Sequence, residues 1–269
     1  MEIQAPAHWQ AVDFLSDLHL DRPDAPTLTA FAHYLEHSPA QALFVLGDLF
    51  EVWVGDDALG IDGGVEQRVA ALLHRASLRM DIFILCGNRD FLMGPALMQA
   101  CGAQALPDPS VLQFGDQRYL LTHGDGLCLS DTDYLAFRQL ARSTTWQQNF
   151  LSKPLSLRQA SARNMRMQSQ AHQAAMRARD NTRWHDLDTQ ACLQSLHQAQ
   201  ADTMIHGHTH HPATHPLAPG KSRWVLSDWD LECEPPRGDL LRLTRVGAPQ
   251  DAAHAGPALQ RLSVSGLNA

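Results

Sequence analysis

The sequence predicts an α/β fold: a two-sheet β-sandwich flanked by helices, with one helical insertion. Short apolar runs alternate with stretches of helical pattern, which is typical of strand–helix–strand units. Five of the apolar runs end in polar motifs, as expected at the binding edge of an α/β sheet. Between the fourth and fifth of these runs the strand patterns stop and a basic segment begins. We therefore predict a single domain over residues 1–269 with a helical insertion at about 134–185.

The five runs that end in motifs are apolar almost throughout, which is typical of strands buried on both faces. They are Val12–Leu15, Leu43–Leu46, Ile82–Cys86, Tyr119–Thr122 and Thr203–Ile205. Helical patterns predict the helices Thr27–Glu36, Val65–Arg75 and Thr189–Gln200. The polar stretch Gly115–Arg118 separates Val111–Phe114 from the next strand and indicates an antiparallel hairpin. Further strands are predicted at Trp224–Leu226, Leu240–Thr244 and, after a loop at Gly247–Pro257, Leu259–Val264.

The composition is that of a soluble enzyme. With 44% apolar residues among 269, the chain can bury the core of one α/β domain. No apolar stretch approaches the roughly 18 residues of a membrane span, and Met1–Gln10 lacks the basic and apolar regions of an export signal. The five cysteines are scattered and form no C-x-x-C pair, which argues against disulfides and a structural zinc site. We expect a protein of the reducing cytoplasm.

The segment 134–185 differs in charge from the rest of the chain. It holds nine basic residues and one acidic residue, a net charge of +8, which leaves −16 for the remainder. Gln, Ala, Arg and Met favour helix here, with a break at Pro154. Apolar residues lie among the charges: Trp146, Phe150, Leu151, Leu155 and Leu157. No nucleic acid is expected as a partner, because the segment lacks the aromatic stacking platforms of such surfaces.

Five short motifs follow the five predicted strands. They are Asp17-Leu18-His19, Gly47-Asp48-Leu49-Phe50-Glu51, Gly87-Asn88-Arg89-Asp90, His123-Gly124-Asp125 and Gly207-His208-Thr209-His210. Carboxylate, amide oxygen and imidazole, without thiolate, are the ligands of a hard or borderline divalent ion. Because the strand ends converge on one cleft, the motifs predict ligands for two metal ions: Asp17, His19, Asp48, Asn88, His123, His208 and His210.

The charge of such a site favours a phosphate substrate. Asp48 follows a glycine, which allows close approach of the backbone, so it can place one oxygen on each ion. Two divalent ions and two carboxylates leave a positive surplus that suits a diphosphate or a phosphodiester, as in dinuclear hydrolases. Glu51 and Asp125 are expected to orient ligating imidazoles or loop amides. Asp56 and Asp57 are expected to cap a loop or a helix.

This order of motifs resembles the calcineurin-like metallophosphoesterases and implies their fold. Most members of that superfamily have a histidine where the third motif here has Arg89. The arginine variant, with the segments Gly47–Asp57 and His123–Cys128, is similar to the UDP-2,3-diacylglucosamine hydrolases of lipid A biosynthesis. The resemblance extends from about Val12 to Leu226, and it weakens in the insertion and after Trp229.

The resemblance implies that water attacks the α-phosphorus of UDP-2,3-diacylglucosamine and releases UMP and 2,3-diacylglucosamine 1-phosphate, usually with manganese. One ion would be held by Asp17, His19, Asp48 and His210, and the other by Asp48, Asn88, His123 and His208. Catalysis would depend on Asp48 and Arg89, because a guanidinium can clamp phosphate oxygens and stabilise a weakly basic leaving group. Substrate contacts are implied for Asn88, Arg89, Asp131, Ser169, Gln173 and His208.

In the resembling family the insertion forms a cap over the cleft that receives the acyl chains and the nucleotide. Gln173 and Met176 depart from the asparagine and the lysine or threonine of that family. Apolar residues among arginines can meet lipid tails and anionic headgroups, so we expect peripheral binding to the cytoplasmic face of the inner membrane. We expect a monomer.

Two alternatives stay open. A metallophosphoesterase could act on a soluble nucleotide such as a dinucleoside polyphosphate, although Arg89 and the long apolar and basic insertion argue against it. The fold could also serve as a metal-free interaction scaffold. Such a protein would be expected to have lost several ligands, and all seven ligand positions are filled here.

Overall fold

The computed structural model describes residues 1–179, 186–245 and 257–264 and, for 168–179, the backbone alone. In this part of the chain two six-stranded sheets are flanked by helices, which confirms the predicted fold class. The strands are β1 Glu2–Gln4, β2 Ala11–Leu15, β3 Ala42–Leu46, β4 Asp81–Leu85, β5 Gln104–Leu106, β6 Ser110–Phe114, β7 Gln117–Thr122, β8 Thr203–His206, β9 Ala213–Ala218, β10 Lys221–Val225, β11 Asp239–Thr244 and β12 Ala258–Ser263. The helices are α1 Pro26–His37, α2 Val65–Ser77, α3 Pro95–Cys101, α4 Thr132–Ala141, α5 Thr144–Leu151, α6 Leu155–Arg179 and α7 Thr189–Ala199.

The strand order places the five motifs together. The first sheet has the order β12-β11-β2-β3-β4-β5, and the second has the order β1-β6-β7-β8-β10-β9. β2, β3 and β4 run parallel in the first sheet, and β7 and β8 run parallel in the second. Parallel neighbours end at the same edge of their sheet, so the loops after these five strands lie at two sheet edges. The predicted hairpin is confirmed, because β6 and β7 pair antiparallel.

The core explains why the strand sequences are apolar on both faces. In β3 all five residues are buried. Leu43 and Val45 pack with residues of α1, α2 and α3, whereas Phe44 and Leu46 pack between the two sheets. The ring of Phe44 stacks on that of Phe83 in β4 at a centroid distance of 4.6 Å. A smaller cluster joins α7 to the outer face of the second sheet.

The described part of the connection from β7 to β8 contains four α-helices, α4 to α7. The Ser143 side chain accepts from the Trp146 amide and begins α5, and Pro154 stands between α5 and α6. Phe150 and Ala162 of these helices are buried in the same cluster as α1, α2 and α3. The description of this segment as a cap within one domain stays a prediction. Among the described residues, no helix combines the length and the apolar character that a membrane span requires.

Predicted bounds differ from the observed ones by up to three residues, but β1, α3, β5 and β9 were missed. β1 and β5 have three residues each, and α3 has seven, so their patterns are too short to recognise. β9 contains Pro216 and lies at the edge of its sheet, where proline is tolerated. The predicted loop at Gly247–Pro257 lies, up to residue 256, outside the described residues.

Candidate metal centre

The residues predicted as metal ligands lie in the loops after the five strands. Five of them have a left-handed backbone: Asp17 (φ 55°), His19 (φ 49°), Asp48 (φ 53°), His208 (φ 69°) and His210 (φ 56°). Residues other than glycine rarely adopt this conformation, although Asp, Asn and His adopt it more readily than most. The chain therefore turns sharply where the strands end, and the turns bring side chains from both sheets into contact.

One group of potential ligands consists of Asp17, His19 and His210. Oδ1 of Asp17 lies 3.3 Å from Nε2 of His210 and 3.9 Å from Nε2 of His19. Oδ2 of Asp17 accepts from the Ser16 hydroxyl at 2.5 Å and from the His208 amide at 3.0 Å. Oδ1 is buried and has no hydrogen-bond partner in the described part of the chain. A buried carboxylate oxygen that faces imidazole nitrogens fits a metal ion, because the cation supplies the missing partner.

The other group consists of Asp17, Asp48 and His123, with Asn88 and His208 beside it. Oδ1 of Asn88 lies 2.9 Å from Nε2 of His123 and 2.9 Å from Nδ1 of His208. Oδ2 of Asp48 lies 3.7 Å from Nε2 of His123. Nδ1 of His123 donates to the backbone oxygen of Leu46 at 2.9 Å and thereby leaves Nε2 for the group. The seven predicted ligands are therefore brought together in two neighbouring groups.

The electrostatics of the second group favour a cation. Burial lowers the pKa of His208 to about 3, so this imidazole is neutral, as metal ligation requires. Burial also acts against the charged form of His123, but the carboxylates of Asp48 and Asp17 outweigh it and raise the pKa of His123 to about 9. The two carboxylates thus attract positive charge, and a divalent ion would take the place of the proton.

The bridging role predicted for Asp48 has a second candidate. Asp17 takes part in both groups of potential ligands, whereas Asp48 takes part in one. Oδ1 of Asp48 accepts from the Arg89 amide at 2.8 Å, and Oδ2 is the oxygen that faces His123. Asp17 is therefore the carboxylate that contacts both groups in the described part of the chain, and the bridge by Asp48 stays a prediction.

Two motif glycines are required by close contact with these carboxylates. A Cβ at Gly87 would lie 2.1 Å from Oδ1 of Asp48, and a Cβ at Gly207 would lie 2.2 Å from Oδ2 of Asp17. Neither distance leaves room for a side chain. The glycines therefore let the backbone of one loop pack against the ligand of another.

Asp90 supports the site in a way that the sequence did not reveal. Its fully buried carboxylate accepts the Gly87 amide at 2.8 Å through Oδ1, and the Leu49 amide at 2.8 Å and the Phe50 amide at 3.4 Å through Oδ2. It therefore ties the loop after β3 to the loop after β4. The sequence feature that could have indicated this role is the position of Asp90 at the end of the third motif, where it is not needed as a metal ligand.

Glu51 lies beside a predicted ligand, and its orienting role stays a prediction. Oε2 lies 3.2 Å from Nδ1 of His19, and Oε1 accepts from the Arg89 guanidinium at 3.0 Å. Arg166 of α6 contacts the same Oε1. Together with His210, these side chains line a cleft of about 370 Å³. Two guanidinium groups thus lie beside the potential metal ligands.

The expectation for Asp125 is wrong. Within the described residues its carboxylate accepts from the Tyr134 hydroxyl, from Arg138 at 2.8 Å and from Arg142 at 3.4 Å, and not from an imidazole or a loop amide. These donors stand one helical turn apart on α4 and just beyond it, so they reach the same acid. Asp125 therefore attaches the start of the α4–α6 segment to the sheet edge.

Two other carboxylates act as helix caps. Asp56 accepts the amides of Ala96 at 2.9 Å and Leu97 at 3.2 Å in the first turn of α3, as predicted. Asp131 accepts the Tyr134 amide at 3.1 Å and caps α4, and its substrate contact stays a prediction. The side chains of Ser169, Gln173 and Met176 lie outside the described residues.

Arg158 of α6 is an anchor inside the basic segment. It is 2% exposed, donates to the backbone oxygen of Lys153 at 2.9 Å, and also contacts the oxygen of Val54 and the carboxylate of Asp57. Because Val54 and Asp57 belong to the loop after β3, α6 is attached directly to a motif-bearing loop. The positive charge of the segment is therefore not confined to its surface.

Aromatic rings join α4 and α5 to the third motif. Trp146 stacks on Phe150 at 4.9 Å and lies 6.0 Å from Phe91, which follows Asp90. Phe137 meets Trp146 edge-on at 6.3 Å. Other apolar side chains in this region are exposed: Leu129, Leu140, Leu151, Leu157 and Met167. The segment thus presents both an aromatic cluster and an exposed apolar surface.

Comparison with known proteins finds a family model, curated relatives and solved structures that are similar to this chain. The model of the calcineurin-like phosphoesterase family matches residues 11–212. Relatives named UDP-2,3-diacylglucosamine hydrolase include those of Bordetella pertussis (39% identity; 86% of this chain and 91% of the relative) and Aromatoleum aromaticum (42%; 80% and 88%). Among solved structures, the chain is similar to zinc-bound Vps29 from Entamoeba histolytica, with 15% identity, a TM-score of 0.44, and coverage of 94% of this chain and 99% of that one.

The family match spans the five motif-bearing strands and both groups of potential ligands, which come from Asp17 to His210. The curated relatives align over nearly all of their own length. The chain therefore belongs to the calcineurin-like phosphoesterases and, within them, to the family of UDP-2,3-diacylglucosamine hydrolases.

Proposed function

We propose that this protein hydrolyses the pyrophosphate of UDP-2,3-diacylglucosamine in lipid A biosynthesis. A bond forms between water oxygen and the α-phosphorus, the bond from that phosphorus to the bridging oxygen breaks, and UMP and 2,3-diacylglucosamine 1-phosphate are released. The observation that carries the proposal is the position of Arg89 in the cleft that His19 and His210 line, because these two imidazoles form a group of potential ligands with Asp17. The names of the relatives supply the substrate.

We propose that two divalent ions, manganese by preference, bind at the two groups. Asp17, His19, Asp48 and His210 would hold one ion, and Asp48, Asn88, His123 and His208 would hold the other. The donor set supports this proposal, because all ligand atoms are oxygen or imidazole nitrogen. When bound, such ions neutralise charge on phosphate oxygens and make water a stronger nucleophile at neutral pH.

Arg89 has the clearest role among the chain's own residues. Its side chain is 29% exposed and is held at the cleft by Glu51. A guanidinium keeps its charge throughout the physiological pH range and can contact two phosphate oxygens at once. It therefore suits a phosphate leaving group, which hardly needs a proton donor. Asn88 and His208 would contribute further contacts to the substrate.

The α4–α6 segment would receive the acyl chains. Its aromatic cluster adjoins the third motif through Phe91, so an acyl chain bound there would lie close to the diphosphate. Its exposed apolar residues and basic charge also suit the cytoplasmic face of the inner membrane, on which we propose that a monomer acts. Asp131, Ser169 and Gln173 are the proposed headgroup contacts in this segment.

The test compares UDP-2,3-diacylglucosamine, UDP-glucosamine and a dinucleoside polyphosphate at the same manganese concentration. Acyl burial contributes about 0.8 kcal/mol per methylene, and part of that energy can position the diphosphate for reaction. We therefore expect the specificity constant for UDP-glucosamine to be lower by several orders of magnitude. Equal constants for the two sugar nucleotides, or preference for the dinucleoside polyphosphate, would favour the soluble-nucleotide alternative instead.

A further inference from the structure

Asp228 lies beside the ring of His210. Nε2 of His210 faces Oδ1 of Asp17 at 3.3 Å, and the other ring nitrogen, Nδ1, lies 3.6 Å from Oδ2 of Asp228. The two nitrogens therefore have different surroundings. Nε2 belongs to the group of potential metal ligands, and Nδ1 faces a carboxylate that belongs to neither group.

The position of Asp228 is fixed by Arg237. Nε of Arg237 donates to Oδ1 of Asp228 at 3.1 Å, and Nη2 donates to Oδ2 at 2.7 Å, which is a two-point ion pair. The backbones of Arg237 and Asp230 exchange two hydrogen bonds, at 2.8 and 3.0 Å. These bonds close the loop and bring Arg237 back beside Asp228. Asp228 itself is 6% exposed. Its charge is thus held beside His210 by the loop that contains it.

This loop lies beyond the residues that the family model matches, which end at 212. It follows β10, which is the parallel neighbour of β8, the strand before His208 and His210. The Trp229 amide donates to the backbone oxygen of Asp17 at 2.9 Å, so the loop is also joined to the loop after β2. β10 therefore resembles the five motif-bearing strands, because it too ends in an acid that faces the site.

We infer that Asp228 is a positioning residue for His210. Its carboxylate favours the tautomer with a proton on Nδ1, which leaves the lone pair of Nε2 for a metal ion, and Arg237 holds the carboxylate in place. Histidine ligands generally have a carboxylate or carbonyl beside their second N–H, and loss of that partner weakens metal binding by about 10–100-fold. Here the two atoms lie 3.6 Å apart, so the contact is an ion pair and not a direct hydrogen bond. The inference rests on the metal centre of the proposed function and not on its substrate.

The test is a titration of the full-length protein with Mn²⁺, followed by electron paramagnetic resonance without substrate. Asp228→Asn should lower the affinity for one of the two Mn²⁺ ions by about 10–100-fold and leave the affinity for the other unchanged. Arg237→Gln should lower the affinity for the same ion to a smaller degree, because the Asp228 carboxylate is still present. Glu232→Gln is the matched control: it removes the same charge from the same loop, but Glu232 pairs with Arg22 at 2.8 Å. Its Mn²⁺ binding should equal that of the unmodified protein.

A double variant separates positioning from a general electrostatic effect. In a His210→Asn background, Asp228→Asn should cause no further loss of Mn²⁺ affinity, because the Asp228 carboxylate acts through the His210 imidazole. Unchanged affinity in Asp228→Asn, or an equal loss in both backgrounds, would overturn the inference. If thermal unfolding shows that Asp228→Asn does not fold, Arg237→Gln decides: a loss at one ion supports the inference and unchanged binding overturns it. A failure of the proposed function would be distinguishable, since none of these Mn²⁺ titrations uses the substrate.

Discussion

Oδ1 of Asp48 accepts a hydrogen bond of 2.8 Å from the backbone amide of Arg89. A predicted metal ligand in the loop after β3 and the proposed phosphate clamp in the loop after β4 are therefore directly connected. Asp90 adds a second connection, because it accepts amides from both loops. The loops after β3 and β4 are therefore joined at two points, through Asp48 and through Asp90.

Asp48→Asn should abolish turnover and reduce the metal content of the protein. The amide keeps an oxygen for the Arg89 amide but removes the negative charge that attracts the ions. The measurement is metal per chain, together with activity in manganese, for Asp48→Asn and Asp17→Asn in parallel. If Asp48 bridges, its variant loses both ions and Asp17→Asn loses fewer; the reverse order assigns the bridge to Asp17. Near-normal turnover of Asp48→Asn would contradict a dinuclear centre.

Arg89→Ala should lower kcat by about 10²–10³-fold, the typical loss when one donor to a developing negative charge is removed. Metal content should not change, since the guanidinium pairs with Glu51 and, in the part of the chain that the structure describes, with no predicted ligand. Arg89→Lys is the matched variant, because it keeps the charge but loses the two-point contact. Its kcat should lie between that of the unmodified protein and that of Arg89→Ala. A metal analysis that finds an emptied site in Arg89→Ala would contradict the clamp.

Asp90→Ala should destabilise the metal-free protein strongly. Three buried amides lose their acceptor, and each unsatisfied group costs about 1–3 kcal/mol. The free energy of unfolding in urea should therefore fall by about 3 kcal/mol or more. Asp90→Asn keeps one acceptor oxygen and should lose less. Equal unfolding midpoints for the unmodified protein and Asp90→Ala would show that the two loops do not depend on this carboxylate.

Arg158→Ala should loosen α6 from the loop after β3. Its guanidinium is buried against Val54 and Asp57, and hydrogen bonds that involve a charged group contribute about 1.5–3 kcal/mol. Hydrogen exchange in α5 and α6 should become faster, and the unfolding temperature should fall. Arg163→Ala is the control, because it removes the same charge from an exposed position on the same helix. Similar effects of the two variants would refute the anchoring role.

Phe137→Ala should lower the specificity constant for the diacyl substrate and leave that for UDP-glucosamine unchanged. Phe137 is 38% exposed and meets Trp146, whereas Phe150 is 5% exposed and belongs to the core, so its removal would also destabilise the fold. Leu78→Ala, at a site 79% exposed and distant in sequence from α4–α6, is the control for loss of surface apolar area. Parallel losses for both substrates would argue against an acyl-binding role.

The sequence predicted the parts of the fold that depend on burial. β3 is apolar on both faces because each face meets a different layer, so its pattern is clear without the structure. The motifs were equally clear, because five of them occur in order and each follows an apolar strand. β1, by contrast, has one buried residue, Ile3, and no pattern of that size can be distinguished from a loop.

The supporting residues were harder to predict, because their roles depend on distant partners. Asp125 follows a predicted ligand, yet its donors come from α4 and from Arg142. Asp228 belongs to no motif, and it reaches His210 because β10 pairs in parallel with β8. Arg158 is of a residue type that usually lies at the surface, yet it is buried. Sequence spacing alone contains none of these contacts.

The left-handed backbone at Asp17, His19, Asp48, His208 and His210 has a consequence for how this centre can be dissected. Alanine at such a position disfavours the turn as well as removing the ligand atom, so an alanine scan would mix two losses. Asparagine tolerates the turn and glycine adopts it freely. A pair of such substitutions at each position would report ligation and loop shape separately. Any transfer of this centre to another scaffold must likewise reproduce these five left-handed residues, in three loops, before the chemistry of the side chains matters.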